Sequence, residues 1–182
     1  MESLRGLASL AGTTELTLPS GRPLSIASWT VHFPPSTPDR LAPGLLPRSY
    51  TTKPLVEVDG ENMFGELAVA TWLAKDQWLA LWVDTFHGRK FWRAMPHRSE
   101  PVIPPPNVQN LYDRIADRNG SPAGCFDVVA WRGDRIVWLE YKGQKDKPNP
   151  NELCWLDAAI GAGVVESDLI FVGEKARPSR YP

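Results

Sequence analysis

The stretch from Cys125 to Lys142 constrains the fold of this chain more tightly than any other segment. Cys125-Phe126-Asp127-Val128-Val129-Ala130-Trp131-Arg132 reads as a strand, meets the two-residue turn signal Gly133-Asp134, and continues as the strand Arg135-Ile136-Val137-Trp138-Leu139-Glu140-Tyr141-Lys142. With Gly133-Asp134 as the loop, Arg132 pairs with Arg135, and counting outward along both strands sets Asp127 directly opposite Glu140. Lys142 lies two residues further on the same strand face. Directly opposed residues have Cβ atoms roughly 5 Å apart, and like charges there are destabilising. A fold keeps such a pair only where something offsets the repulsion. A divalent cation is the simplest offset, because Mg²⁺, Mn²⁺ and Ca²⁺ take hard oxygen ligands at about 2.0–2.5 Å. The alternative is a solvated strand face on which one carboxyl holds its proton through a raised pKa.

The flanking residues bear on that choice. Ile136, Trp138, Glu140 and Lys142 share one face of the second strand, and Val137, Leu139 and Tyr141 share the other. Both faces are mostly apolar, which predicts a strand covered on both sides, as in mixed or parallel sheets with helices packed on them. The charged end of the strand then belongs at a rim or cleft.

At 182 residues the chain can form one domain with an extension and bury a sizeable core. Eight Trp and 42% hydrophobic residues exclude a wholly disordered chain. A formal charge of −1 gives no global attraction to nucleic acid, so any such binding must come from a local patch or a partner. Cys125 and Cys154 fall on predicted core elements without metal-type spacing, which predicts reduced, buried thiols and a cytoplasmic location. The opening Met1-Glu2-Ser3-Leu4-Arg5 lacks a signal-peptide pattern and no run reaches the length of a membrane span, so no membrane partner is expected.

Residues 1–56 are rich in Pro, Ser and Thr, with two weak strand signals, Glu15 to Leu18 and Leu24 to Val31, around a Pro19-Ser20-Gly21 turn. They read as a partly β extension that covers a sheet edge or contacts a partner, either another protein or a second copy of the chain. From about residue 60, Met63, Glu66, Leu67, Ala70, Leu73 and Ala74 follow the spacing of one helical face, with Asp59 or Asn62 as cap. Glu66 falls in the apolar stripe, where a carboxylate is costly unless paired, protonated or bound to a cation. Trp78 to Asp84 reads as a strand. Residues 85–123 form an insertion containing Pro104-Pro105-Pro106 and a short helix, Val108 to Arg118. Pro150 to Ala162 reads as a helix and Asp168 to Val172 as a last strand. The order helix, strand, strand, strand, helix, strand predicts an α/β fold with a central mixed sheet flanked by helices.

A helix glutamate, then an aspartate and a Glu-x-Lys on neighbouring strands in this αβββαβ order, resembles the PD-(D/E)XK nuclease superfamily. The stretch Glu140-Tyr141-Lys142-Gly143, a polar loop Gln144-Lys145-Asp146-Lys147, and a helix with Trp155-Leu156-Asp157 is similar to its VRR-NUC branch. The resemblance covers roughly residues 57–173 and implies a restriction-endonuclease-like core within residues 57–182. It implies a metal-dependent nuclease in which Asp127 and Glu140 hold Mg²⁺ or Mn²⁺, Glu66 assists directly or through water, and Lys142 acts beside the attacking water. Such chemistry is coherent, since a bound metal supplies a hydroxide-like nucleophile near neutral pH and positive charge where the phosphorane becomes negative. Two positions depart from the branch: Phe126 precedes the aspartate where Pro is usual, and Glu152 stands where Gln is typical, with Asn151 able to take over its phosphate or base contact. Lys142 balancing Glu140 at the surface, and Glu66 salt-bridged within its helix, are the plain alternatives for those residues.

Arg89, Lys90, Arg93 and Arg98 interleave with Phe86, Phe91 and Trp92, a pattern suited to phosphate contacts plus base stacking, or equally to aromatics packed on the sheet with cations in water. Lys142, Lys145 and Lys147 form a second basic patch. The histidines lack metal-ligand spacing and receive no catalytic role. The function expected is hydrolysis of DNA phosphodiester bonds, DNA being favoured over RNA, with selectivity for branched or single-stranded forms and a setting in repair, phage or mobile-element biology, or defence. A nuclease-fold module that binds nucleic acid or a protein without catalysis is the second reading. A small-molecule hydrolase using the same metal pair is the third.

Overall fold

A computed structural model describes residues 8–143 and 146–174. A long hairpin, β1 (Ala8–Thr17) and β2 (Pro23–Val31), is followed by the single-turn helix α1 (Arg48–Thr51) and a small separate hairpin, β3 (Leu55–Val58) and β4 (Glu61–Phe64). Then come helix α2 (Gly65–Lys75), β5 (Leu79–Asp84), β6 (Lys90–Trp92) and α3 (Pro106–Asn119). The described residues close with β7 (Val128–Arg132), β8 (Arg135–Lys142), α4 (Pro150–Gly161) and β9 (Leu169–Glu174).

Seven strands form one mixed sheet in the order β1-β2-β9-β8-β7-β5-β6. The central strand β8 runs antiparallel to β7 and parallel to β9, and the register Arg132↔Arg135 through Val128↔Leu139 is the one the Gly133-Asp134 loop dictates. Gly133 takes φ +60°, a conformation that glycine adopts without a Cβ penalty. As a central strand, β8 is buried on both sides. Val137 and Leu139 join Val128, Ala130, Ile170 and Val172 under α2 and the β3–β4 hairpin. Trp138 joins Val129, Leu169 and Phe171 under α3 and α4. Trp155 of α4 stacks on Phe126 at 5.1 Å between centroids and meets Trp138 edge-on at 5.2 Å. Side chains of this size, fully buried, each contribute a few kcal/mol, about 1.5–3 for a Leu or Phe, and fix α4 against the strand pair.

The N-terminal segment is built into this sheet: β2 pairs in parallel with β9 through Ala27↔Ile170 to Val31↔Glu174. At the β1–β2 turn, the backbone N–H and the Oγ of Ser20 each donate to Asp157 of α4 at 2.8 Å.

Three expectations are corrected. The helix expected from about residue 60 begins at Gly65, because Asp59 and Gly60 adopt φ of 53° and 81° and close a hairpin in which Val58 pairs with Glu61. Met63 therefore lies on a strand, Phe64 occupies the cap position without a side-chain cap, and neither Asp59 nor Asn62 caps α2. The connection after Asp84 contains a strand, β6, which pairs with β5 at the sheet edge. Cys125 is buried as expected, but Cys154 is exposed; both are free. No helix among the described residues is long and apolar enough to cross a membrane.

Candidate active site

Of the residues expected from the sequence, Glu66, Asp127, Glu140 and Lys142 come together at one end of β7 and β8. Asp127 sits one residue before β7, and its carbonyl accepts the Val83 N–H at 2.7 Å, so the backbone here is pinned to β5. Its own N–H donates to Glu140 Oε2 at 3.1 Å, and the Tyr141 N–H donates to Asp127 Oδ2 at 3.1 Å. Each carboxylate therefore accepts a backbone hydrogen bond from the strand that carries the other or its neighbour. Glu140 is buried and Asp127 half-buried. Burial, with the negative charge of Glu66 added, pushes the Asp127 carboxyl up to about 7 against the pull of Lys53, the Tyr141 N–H and Lys142. Burial and then Asp127 hold Glu140 well above the usual carboxylate range.

Glu66 lies in the first turn of α2 on the apolar side, 9% exposed, and is ion-paired with Lys53. Lys53 comes from the segment between α1 and β3, and its ammonium lies 5.2 Å from the Trp82 ring centroid. Burial works against that ammonium, but Glu66 above all, then Asp127 and Asp84, favour it and its pKa is raised. A cation does sit among these carboxylates, and it is a lysine. The sequence pattern left pairing, protonation or a cation open for Glu66 and did not point to Lys53, which lies 13 residues upstream in a stretch that reads as irregular.

Lys142 bridges two acids, Glu140 Oε1 at 3.0 Å and Glu152 Oε2 at 2.5 Å. Glu152 is buried and belongs to the capping box of α4: Asn149 Oδ1 accepts the Asn151 and Glu152 N–H groups, and Glu152 Oε2 accepts the Asn149 N–H at 3.2 Å. Glu152 thus caps the helix and clamps the lysine. Asn151 is exposed in the same first turn, and its backbone carbonyl presses on Gly124, where a Cβ would come within 2.1 Å. Lys147 lines an open hollow of about 560 Å³ with Glu140, Lys142, Asp146 and Glu152, while Lys145 lies outside the described residues.

The basic and aromatic residues after β5 separate by face. Phe91 and Trp92 are buried, whereas Arg89, Lys90 and Arg93 are exposed. Phe86 is 82% exposed and borders the cleft at Asp127. Arg93 belongs to a separate hollow with Asp59, Glu61 and Arg98, so the strip is not one continuous surface around the site.

A cavity of about 270 Å³ opens beside Asp127 and is lined by Ser49, Tyr50, Lys53, Trp82, Asp84, Phe86 and His87. Of these, Ser49, Tyr50, Lys53, Asp84 and His87 were not singled out by sequence pattern; α1 brings the first two from 34 or more residues away. Among the described residues, Lys53 and Lys142 are the lysines set among Asp84, Asp127, Glu66, Glu140 and Glu152, and Asp84 also faces His87. Among the described residues no three His, Cys, Asp or Glu side chains already converge as a ready metal cage.

No protein-family model, no curated protein and no solved structure matches the chain.

Proposed function

We propose that the protein is a metal-dependent phosphodiesterase that cleaves DNA. The observation that carries this reading is the Asp127–Glu140 pair: two neighbouring desolvated carboxyls, each accepting one backbone N–H, with pKa values raised first by burial and then by the acids beside them. The donor set suits Mg²⁺ or Mn²⁺, since oxygen ligands and excess negative charge are what a hard dication requires. Asp127 and Glu140 would hold the ion, and Glu66 would join them only by parting from Lys53. When bound, it supplies a hydroxide-like water near neutral pH and a positive charge at the phosphate.

The chain's own residues complete the chemistry. Lys142 is tethered by Glu140 and Glu152, so its ammonium is positioned to orient the attacking water and to stabilise the oxyanion as it forms. The exposed Phe86, next to the cleft, offers a face on which a base can stack, and Arg89 and Lys90 follow it with charge for the backbone. Two free cysteines are compatible with the cytoplasmic setting we infer.

Purified protein with Mn²⁺ or Mg²⁺ should cut members of a panel of single-stranded, duplex, flap and junction DNAs, and EDTA, Glu140→Ala or Lys142→Ala should abolish cutting. Equal cutting by parent and Glu140→Ala would assign the activity elsewhere. The second reading, a nuclease-fold module that binds nucleic acid or a protein without catalysis, draws on the ion pairs that already occupy Glu66 and Glu140. It predicts binding to the same panel with no product in any metal.

A further inference from the structure

His87, at the mouth of the cleft, is held on several sides. Its backbone N–H donates to Asp84 Oδ1 at 3.1 Å, and its Nδ1 lies 3.0 and 3.1 Å from the two Asp84 oxygens. A carboxylate can only accept, so Nδ1 carries a proton and Nε2 is the working nitrogen. Asp84 is buried at the end of β5, and Tyr50 donates its hydroxyl to Oδ2. The imidazole is stacked on the Tyr50 ring at 3.9 Å between centroids and meets Phe86 edge-on at 4.9 Å. Nε2 faces the Ser49 hydroxyl at 2.7 Å. Ser49, His87 and Asp127 all border the same cavity of about 270 Å³.

Each part has a plain structural use taken alone. Their combination does not: a residue whose backbone N–H and ring Nδ1–H both donate to one buried carboxylate, with its ring clamped between two aromatic side chains, aims Nε2 at a hydroxyl oxygen in the cavity that Asp127 borders. Orientation of this kind is what a proton-transfer group requires. We infer that His87 is a catalytic residue of this cleft, donating a proton from Nε2 to the leaving sugar oxygen of a phosphodiester, with Asp84 as its positioning residue. The inference rests on the phosphodiesterase reading.

In the step, a water oxygen bonds to phosphorus, the bond from phosphorus to the leaving oxygen breaks, and that oxygen takes the Nε2 proton and departs as an alcohol. The attacking water loses its proton to solvent, and the neutral ring regains one from solvent before the next turnover. The ring faces the Asp84 carboxylate before and after the transfer, and the Ser49 hydroxyl marks the position where the leaving oxygen is received.

The test compares DNA with thymidine 5′-(p-nitrophenyl phosphate), whose nitrophenolate leaves without a proton, using Mn²⁺ and the full chain. His87→Ala should lower kcat on the preferred DNA by about 10²–10³-fold with KM changed only a few-fold, yet cleave the nitrophenyl ester within about threefold of the parent. Asp84→Asn should fall between them on DNA and match the parent on the ester. Equal losses on both substrates would reduce His87 to a structural role, and no loss on DNA would exclude it from the step; either overturns the inference. Failure of the parent to cleave either substrate would instead remove the phosphodiesterase reading, and this inference with it.

Discussion

Replacing Asp127 with Asn removes the charge and keeps an oxygen to accept the Tyr141 N–H, so its effect on stability measures the cost of burying that charge beside other acids. The Asp127 carboxyl titrates at about 7 in the folded protein against 3.8 ordinarily. Between those pH values the native state binds more protons than the unfolded chain, so stability falls as pH rises through the window and the full penalty stands above about pH 7. At about 1.36 kcal/mol per pKa unit the rise sets a ceiling of roughly 4 kcal/mol, and solvent screening of a half-exposed carboxyl brings this to about 2. Asp127→Asn should therefore be stabilised by about 2 kcal/mol at pH 8 without metal, a Tm increase of about 4–8 °C for a chain of this size, and by almost nothing at pH 4. Scanning calorimetry in EDTA at both pH values measures it. A variant that melts below the parent at pH 8, or with the same offset at both pH values, would refute the reasoning that Asp127 carries an electrostatic cost.

Three further outcomes follow from other contacts. Lys53→Met strands the buried Glu66, so it should melt lower than the parent in EDTA by about 3 kcal/mol and show a larger Tm rise with Mn²⁺, as the ion takes over the lysine's role; an Mn²⁺ response no greater than the parent's would contradict that exchange. Gly124→Ala places a methyl 2.1 Å from the Asn151 carbonyl at a φ of +78°, and should cost at least about 2 kcal/mol in urea unfolding; an unchanged midpoint would show that the α4 terminus can shift. Glu152→Gln keeps the cap and frees Lys142 from one of its two acids, so it should tighten binding to single-stranded DNA in a filter assay, and weaker binding would count against a phosphate role for that lysine.

The hairpin was legible because loop and register are local: Gly133-Asp134 fixes Arg132↔Arg135, and the ladder out to Val128↔Leu139 follows by alternation, with Asp127 and Glu140 next along each chain. The two-sided apolarity of β8 likewise announced a central strand. The second hairpin was written just as locally, in Asp59-Gly60, but the helical spacing of Met63, Glu66 and Leu67 competes with it, and the turn decided the outcome up to Phe64. Lys53, Tyr50, Asp84 and His87 were hidden for a different reason. Their meeting depends on where α1 docks against β5, a long-range packing choice that leaves no periodic trace in a Pro-rich segment. Glu66 shows the boundary between the two cases, since its position in an apolar stripe states that a partner, a proton or a cation is required and leaves open which.

The central claim, that Asp127 and Glu140 together hold a divalent cation, is tested most directly by isothermal titration of Mn²⁺ into the parent, Asp127→Asn and Glu140→Gln. The account predicts one saturable site in the parent that weakens at least tenfold in each variant while both remain folded by circular dichroism. Equal binding in all three proteins would contradict it.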